Sequence, residues 1–471
     1  MGRVKTLGKN TFWVFVGNIG SKFVAFLMLP VYTTWLSVEE YGMTDIIQTY
    51  VLFGMSIITL SIFEAIFVFP KDVNESEKAE YYTTGFFFNL FCYVFLFIIA
   101  FFLFPQLGGL VSEYRYGIIT YCILMSLQSY LQQFCRCQNK MEVYGISGLI
   151  VSVLVLVFSL FLVQKYKIWG FLISLILANF FGCLYIFIHA RHYQYFHLGS
   201  FCSDKLGKML AYSIPLIPNS IIWWCLQSLN RPMMEHYCGL TSVGLYAVAN
   251  KIPVIMVFAT GIFNNAWNVS ALDEGKAEDF EQYYNKMIRA MIVLTAIAAI
   301  VICMLTPLFI QILAGDGYSD SVDISFILTI ASLVGAYAGF ISSVFIVNKK
   351  SRYFLYSGIC GCIICVALYM ITIPVWGAEG AASAVLISQV IIFYTRIYFA
   401  KKLISIDFLA TSFVCILIGV AYSIVVINQS WSVVAGCGII SLMLIALTNK
   451  STVSEIYCKI NENAKRKFRR L

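Results

Sequence analysis

The sequence predicts an all-α polytopic membrane protein of about 14 transmembrane helices, built as two parallel six-helix repeats plus two C-terminal helices. Three observations predict it: the composition, the apolar runs with the Lys and Arg between them, and an internal recurrence. Of 471 residues, 60% are hydrophobic and 12% charged, against roughly 25% charged in soluble globular proteins. The 32 Lys and Arg and 24 Asp and Glu are too few to cover a soluble chain of this size. The same figures exclude a disordered chain, a collagen and a disulfide-stapled module.

A membrane helix needs about 20 mainly apolar residues. Such runs lie near 10–36, 42–69, 81–104, 114–135, 143–163 and 168–188, and again near 208–230, 241–271, 287–313, 323–347, 354–374 and 378–399. Two more, near 408–427 and 431–448, precede a basic tail. The first run is too long for the core of a cleavable signal and is expected to remain as a span. The expected organisation is an N-terminal lobe over 1–188, a cytoplasmic linker over 189–207, a C-terminal lobe over 208–400, two extra helices over 401–448 and a cytoplasmic tail over 449–471.

Orientation follows from the cations. With both termini cytoplasmic, 26 of the 32 Lys and Arg fall on inward-facing segments, and Arg115, Lys165, Lys167 and Arg231 on outward-facing ones. That division obeys the positive-inside rule, which one missed helix would scramble. The net charge of +8 is therefore a product of topology and does not point to nucleic acid. Trp35, Trp169, Trp376 and Trp431 fall at outer span ends, where indole rings prefer to sit.

Three short matches recur at similar separations. Gly42 in EEYGMTD pairs with Gly244 in TSVGLYA, 202 residues on. Gly148 pairs with Gly358 at an offset of 210, and Trp169-Gly170 with Trp376-Gly377 at 207. Six spans separate each pair, so both copies point the same way through the membrane. Two similar halves suit alternating access.

Lys22 lies near the middle of the first span and Lys251 inside the eighth. Ionisable groups at that depth normally face a bundle interior or a watery cavity, the bland reading being an interhelical ion pair. Glu64 is a candidate partner for Lys22. Two Lys with few buried acids would make a cleft electropositive and favour an anionic substrate. Spans seven and eight also carry Asn219, Asn230, Asn250, Asn264, Asn265 and Asn268, amides that must pair across helices or meet water. Pro215, Pro218 and Pro253 predict kinks there, and broken helices in transporters often free backbone groups for ligand.

Other signals are negative. No Gly-Lys pair completes a phosphate-binding loop, and His189, His192, His197 and His236 form no zinc motif, so no catalytic residue, metal or cofactor is expected. Three of these His read as ordinary linker residues. Most of the 15 Cys lie in apolar runs, and Cys362 and Cys365 read as helix packing. The basic tail, with KRKFRR, reads as a topology anchor that could also meet anionic lipid.

The opening LGKNTFWVFVGNIGSKFVAFLMLPVYTTWLSVEEYGMTDIIQT resembles bacterial polysaccharide flippases of the Wzx type, in the multidrug/oligosaccharidyl-lipid/polysaccharide exporter superfamily. AYSIPLIPNSIIWWCLQSLNRPMMEHYCGLTSVGLYAVANKIP and IPVWGAEGAASAVLIS carry the same resemblance. It implies two MATE-like lobes with a two-helix addition. It also implies a flippase taking undecaprenyl-pyrophosphate-linked oligosaccharide from the cytoplasmic to the periplasmic leaflet, for surface polysaccharides such as O-antigen, lipopolysaccharide or capsule. The implied cavity residues are Lys22 and Lys251, with Asn219, Asn230, Arg231 and Asn250 as further candidates. Val68 stands where relatives often carry Arg, and Asn230 where they often carry Asp.

The expected setting is the bacterial inner membrane. Membrane lipids, the lipid-linked substrate, a glycan polymerase and other assembly proteins are the expected partners. Coupling to H+ or Na+ through Glu64 or Asp45 and substrate-driven exchange are both allowed. A MATE-like cation-coupled drug or metabolite antiporter is the alternative, but it needs buried carboxylates, and only Glu64 and Asp45 qualify. A membrane glycan polymerase or glycosyltransferase is the second, and it would want a long outer loop that this chain lacks.

Overall fold

The apolar runs fold into helices, and among the described residues no strand occurs. This computed structural model describes residues 20, 22, 24–102, 112–274 and 278–454. The expected start of the first span and residues 455–471 of the basic tail lie outside the described residues. In order come α1 (Val24–Trp35), α2 (Val38–Ile58), α3 (Ile62–Val68), α4 (Glu75–Phe102), α5 (Arg115–Cys137) and α6 (Met141–His189). Then follow α7 (Ser203–Ser213), α8 (Ile217–Gln227), α9 (Asn230–Ala249), α10 (Lys251–Glu274), α11 (Phe280–Ala314), α12 (Ser321–Val347), α13 (Arg352–Ala400), α14 (Leu409–Val425) and α15 (Trp431–Thr448). Among the described residues seven helical runs are long and apolar enough to cross a bilayer, and α2 with the segment Ile62–Asp72, bent by 60°, makes an eighth if taken as one span.

The faces follow a membrane logic. On α4, Phe91, Val94, Phe95 and Ile98 point outward, while Asn89, Cys92, Tyr93 and Leu96 point into the protein. Spacings of three and four residues set one helical face against the other, and here the polar groups take the inner face. α2 starts on a capping box: Glu40 N donates to Ser37 Oγ at 3.1 Å and Ser37 N to Glu40 Oε2 at 2.9 Å.

The chain divides into two compact units, Met1–Trp224 and Cys225–Leu471. Residues 208–224, expected to open the second lobe, pack in the first unit. There Trp224 Nε1 donates to Thr49 O at 3.2 Å and its ring lies 4.3 Å from that of Phe53. The first unit's core gathers Ile62, Ile66, Tyr82, Tyr130 and Phe134. The second is centred on α12, where Phe326, Tyr337, Phe340 and Phe345 are fully buried.

The two 49-residue helical runs each fold back on themselves. α6 turns at Lys167 (φ 50°, ψ −123°) and α13 at Gly377 (φ 53°, ψ −128°). Residues eight apart in a straight helix lie about 12 Å apart. Yet a Cβ on Gly170 would sit 2.2 Å from Leu162 O, and one on Gly380 2.2 Å from Thr372 O. The turns just before the two long runs repeat at the same interval: Asn139 (φ 58°) and Lys349 (φ 54°) are both left-handed. Lys140 N bonds to Cys135 O at 2.9 Å and Lys350 N to Phe345 O at 2.8 Å. The repeat thus runs at an offset of 210 through these hairpins, as Gly148 and Gly358 suggest, and the pairing of the two Trp-Gly dipeptides at 207 is corrected. Trp169 and Trp376 are both exposed, and an exposed ring is not pinned to one position in a turn.

Span two breaks where no kink is expected. Leu60 (φ 48°) and Ser61 (φ 53°) are consecutive left-handed residues without a Gly or Pro between α2 and α3. Thr59 Oγ1 donates to Met55 O at 2.9 Å and Ser61 Oγ to Ser56 O at 3.1 Å, side-chain bonds that compete with the helical ladder. The kink expected at Pro215 and Pro218 appears as a 3₁₀ turn, Ile214–Leu216, between α7 and α8. Pro253 sits in the first turn of α10, where its missing N–H is no loss, with Asn250 alone separating α9 from α10.

The loops are held down as well. Thr83 Oγ1 donates to Tyr195 O at 2.9 Å and accepts from His197 N at 3.2 Å, and Cys202 N donates to Thr84 Oγ1 at 3.0 Å. These bonds strap the stretch after α6 onto the start of α4. In the second unit, one stripe of α11 holds the segment after α13. Asn285 Nδ2 donates to Ser405 O at 2.9 Å and Arg289 pairs with Asp407 at 3.0 Å.

Candidate functional site

Four of the candidate residues lie in the first unit. Lys22 is helical and exposed. Asp45 is half-buried on α2. Glu64, in the first turn of α3, is half-buried directly after the break at Leu60 and Ser61, and it makes no ion pair among the described residues. Glu64, a candidate partner for Lys22, is therefore not paired with it. Asn219 is exposed in the first turn of α8, one residue after Pro218.

The second unit holds Asn230, Arg231, Asn250 and Lys251. The sequence placed Arg231 on an outward-facing loop; the structure corrects this. Residues 230–238 are helical, and the chain departs from helical geometry only at Gly239 (φ 80°, ψ 174°). The polar run RPMMEHYC reads as loop by composition, but its groups find partners within the unit. Asn230 is fully buried and Arg231 is 7% exposed. Arg231 Nη1 donates to Gln227 O at 2.5 Å and to Asn230 Oδ1 at 3.1 Å, and its guanidinium lies 5.2 Å from the ring of Tyr246. Asn230 Nδ2 is buried without a hydrogen-bond partner. A guanidinium is a planar fork whose geometry matches phosphate oxygens, which is the chemistry an anion would need here. Half-buried Lys251 opens α10, with Asn250 as the residue before it. Further along α10, Trp267 Nε1 donates to Ser343 Oγ at 3.1 Å. The buried Oδ1 atoms of Asn264 and Asn268 lack partners.

Two residues escaped the sequence reading. Arg396 counted there as a cytoplasmic cation, yet it is 4% exposed. Its Nη1 donates to Ala338 O at 2.6 Å and Ser342 Oγ at 2.8 Å, its Nε to Ser357 Oγ at 3.2 Å, and its guanidinium lies 4.5 Å from the Phe354 ring. The equivalent position in the first unit, 210 residues earlier, is the apolar Ile186. His192, read as a loop residue, is completely buried. Tyr82 and Phe134 meet its ring edge-on, Nε2 lies 3.5 Å from Cys135 Sγ, and Nδ1 has no partner. Burial, aided by the charge of Lys140, pushes this imidazole down to a pKa of about 3. The 3₁₀ turn His192–Gln194 buries it; no motif announces that. Among the described residues no group of three His, Cys, Asp or Glu is arranged to hold a metal, and the described Cys are unbridged.

Comparison with known proteins adds the family. Residues 7–268 match the family described as polysaccharide biosynthesis protein. A relative from Haemophilus influenzae, Lsg locus putative protein 1, is 25% identical over 267 residues, which are 53% of this chain and 62% of that protein. The match thus spans less than two thirds of the relative's length. Among solved structures, the lipid II flippase MurJ in an inward closed conformation is similar over 94% of this chain and 99% of its own, with a TM-score of 0.69 at 14% identity. An inward-facing multidrug resistance MATE family transporter of the MOP superfamily is similar over 82% of this chain and 93% of its own, with a TM-score of 0.64 at 14% identity. At such identity these structures establish the fold alone: multi-pass, all-α and MurJ- and MATE-like. With more than half of its length matched, the chain belongs to the polysaccharide biosynthesis protein family.

Proposed function

We propose that the protein is a flippase for undecaprenyl-pyrophosphate-linked oligosaccharides, carrying them from the cytoplasmic to the periplasmic leaflet of the bacterial inner membrane by alternating access, with both its termini cytoplasmic. The observation that carries this reading is the family match over residues 7–268 on a fold shared with a lipid II flippase. The cations support it: Lys22 and Lys251 lie in apolar runs, where charge is costly and functional by default, and Arg231 is buried within its unit. Pyrophosphate is the natural counterpart of such cations, and Asn219 in the first unit and Asn230 and Asn250 in the second are amides of the kind that bind sugar hydroxyls. The glycan would serve O-antigen, capsule or exopolysaccharide assembly and pass to a polymerase. H+ or Na+ coupling through Glu64 or Asp45, or exchange against a returning lipid, would drive the cycle.

The likeness to a MATE transporter favours one other reading, a cation-coupled antiporter. Deleting the gene in its host separates the two. A flippase leaves lipid-linked oligosaccharide accumulating in the membrane and surface glycan missing; an antiporter leaves both normal. K22A/K251A should fail to restore surface glycan, whereas K22R/K251R should restore it. Full restoration by the alanine pair would remove the cationic anchor.

A further inference from the structure

Lys167 stands at the turn inside α6 with φ 50° and ψ −123°. Glycine takes this conformation readily and side-chain-bearing L-residues rarely do. The second unit builds the same turn 210 residues later with Gly377, at φ 53° and ψ −128°. The chain thus makes one turn twice and supplies the residue that the backbone favours only once. Strain kept in this way points to a task for the side chain.

The task is visible. Lys167 Nζ donates to the carbonyl oxygen of Trp35, the last residue of α1. Carbonyls at a helix C-terminus lack intrahelical partners and carry partial negative charge, so an ammonium caps them well. One turn back, Tyr32 ties α1 to both halves of the same hairpin. Its hydroxyl lies 2.9 Å from Ser159 Oγ and its ring 5.4 Å from that of Phe171. Charge alone does not explain the choice, because Lys165 supplies the same charge two residues earlier, where its ammonium lies over the Tyr166 ring.

We propose that Lys167 is a positioning residue: it clasps the end of α1 to the α6 turn and so fixes α1. This rests on the transport reading only for its consequence; the clasp itself is a contact within one unit.

Three variants test it. K167G removes clasp and strain together, K167M removes the clasp and keeps the strain, and K167R keeps both. The expected result for K167G is thermal stability at or above wild type, with amide hydrogen exchange at Thr33–Leu36 faster by about tenfold. K167M should show the same fast exchange with lower stability than K167G. K167R should exchange like wild type. In proteoliposomes K167G should change the maximal rate of lipid-linked oligosaccharide transfer at least about threefold, with half-saturation unchanged, and K167R should rescue it. Wild-type exchange at Thr33–Leu36 in K167G, or K167G melting below K167M, would overturn the clasp. If the wild-type protein transfers no lipid-linked oligosaccharide, the transport reading fails while the exchange result still decides the clasp.

Discussion

Gly170 and Gly380 stand 210 residues apart in the same place: each lies under the backbone carbonyl of the residue eight positions earlier, Leu162 and Thr372. A Cβ at either would meet carbonyl oxygen at 2.2 Å, and backbone cannot swing aside as a side chain can. Gly170→Ala or Gly380→Ala should therefore destabilise its unit by about 3 kcal/mol or more. Gly358→Ala is the control. Nothing lies within 4 Å of its Cβ position, and alanine gains roughly 1 kcal/mol in helix propensity. Thermal unfolding of the purified protein should rank the three with Gly358→Ala at or above wild type.

Arg396 should behave as a staple between α12 and both halves of α13. Its partners Ala338 and Ser342 belong to α12 and Ser357 to the first half of α13. R396A leaves a cavity and loses bonds to a charged donor, an effect of about 3 kcal/mol. R396K keeps the charge but lacks the planar fork that serves three acceptors, so it should recover less than half of that. Melting temperatures of the two variants check this directly.

His192 gives the protein an acid-side weakness. Its folded-state pKa is about 3, below the ordinary 6.5 of the unfolded chain. Above pH 6.5 both states are neutral and the group leaves stability unaffected. As pH falls from 6.5 towards 3, the unfolded chain takes up a proton that the folded protein refuses, so stability declines. The loss by pH 5 is roughly 2 kcal/mol, from one proton at 1.4 kcal/mol per unit. H192Q should flatten the dependence of melting temperature on pH between 5 and 7 relative to wild type. An unchanged slope would mean that the imidazole is not buried neutral.

Arg231 distinguishes charge from geometry at the candidate site. R231A should reduce surface glycan at least about tenfold, and R231K, with the charge but not the fork, should fall between. Quantifying cell-surface polysaccharide in a deletion strain carrying each variant, at matched protein levels, gives the comparison.

Much of the helical organisation was legible because bilayer thickness dictates the length of an apolar run. Where the reading missed, local chemistry overruled composition. RPMMEHYC looks like a loop, yet Arg231 and Asn230 satisfy one another in part and stay helical inside the unit. SIITLSIF looks like unbroken helix, yet the Thr59 and Ser61 hydroxyls take backbone carbonyls of the preceding turn. Arg396 and His192 were hidden for the opposite reason: both sit near the polar ends of apolar runs, where exposure is the default, and only tertiary contacts bury them. Which candidate residues pair is set by tertiary contacts that composition does not reveal: Glu64, a candidate partner for Lys22 and equally a coupling candidate, makes no ion pair among the described residues.

The central question is whether this chain moves a pyrophosphate-linked glycan across a bilayer. The direct measurement is transfer of labelled undecaprenyl-pyrophosphate oligosaccharide between leaflets of proteoliposomes containing the purified protein, read by accessibility to an external glycosidase. The predicted result is fast transfer by wild type, lost in K22A/K251A and retained in K22R/K251R. Transfer no faster than in protein-free vesicles, from protein shown to be folded by its melting curve, would contradict it.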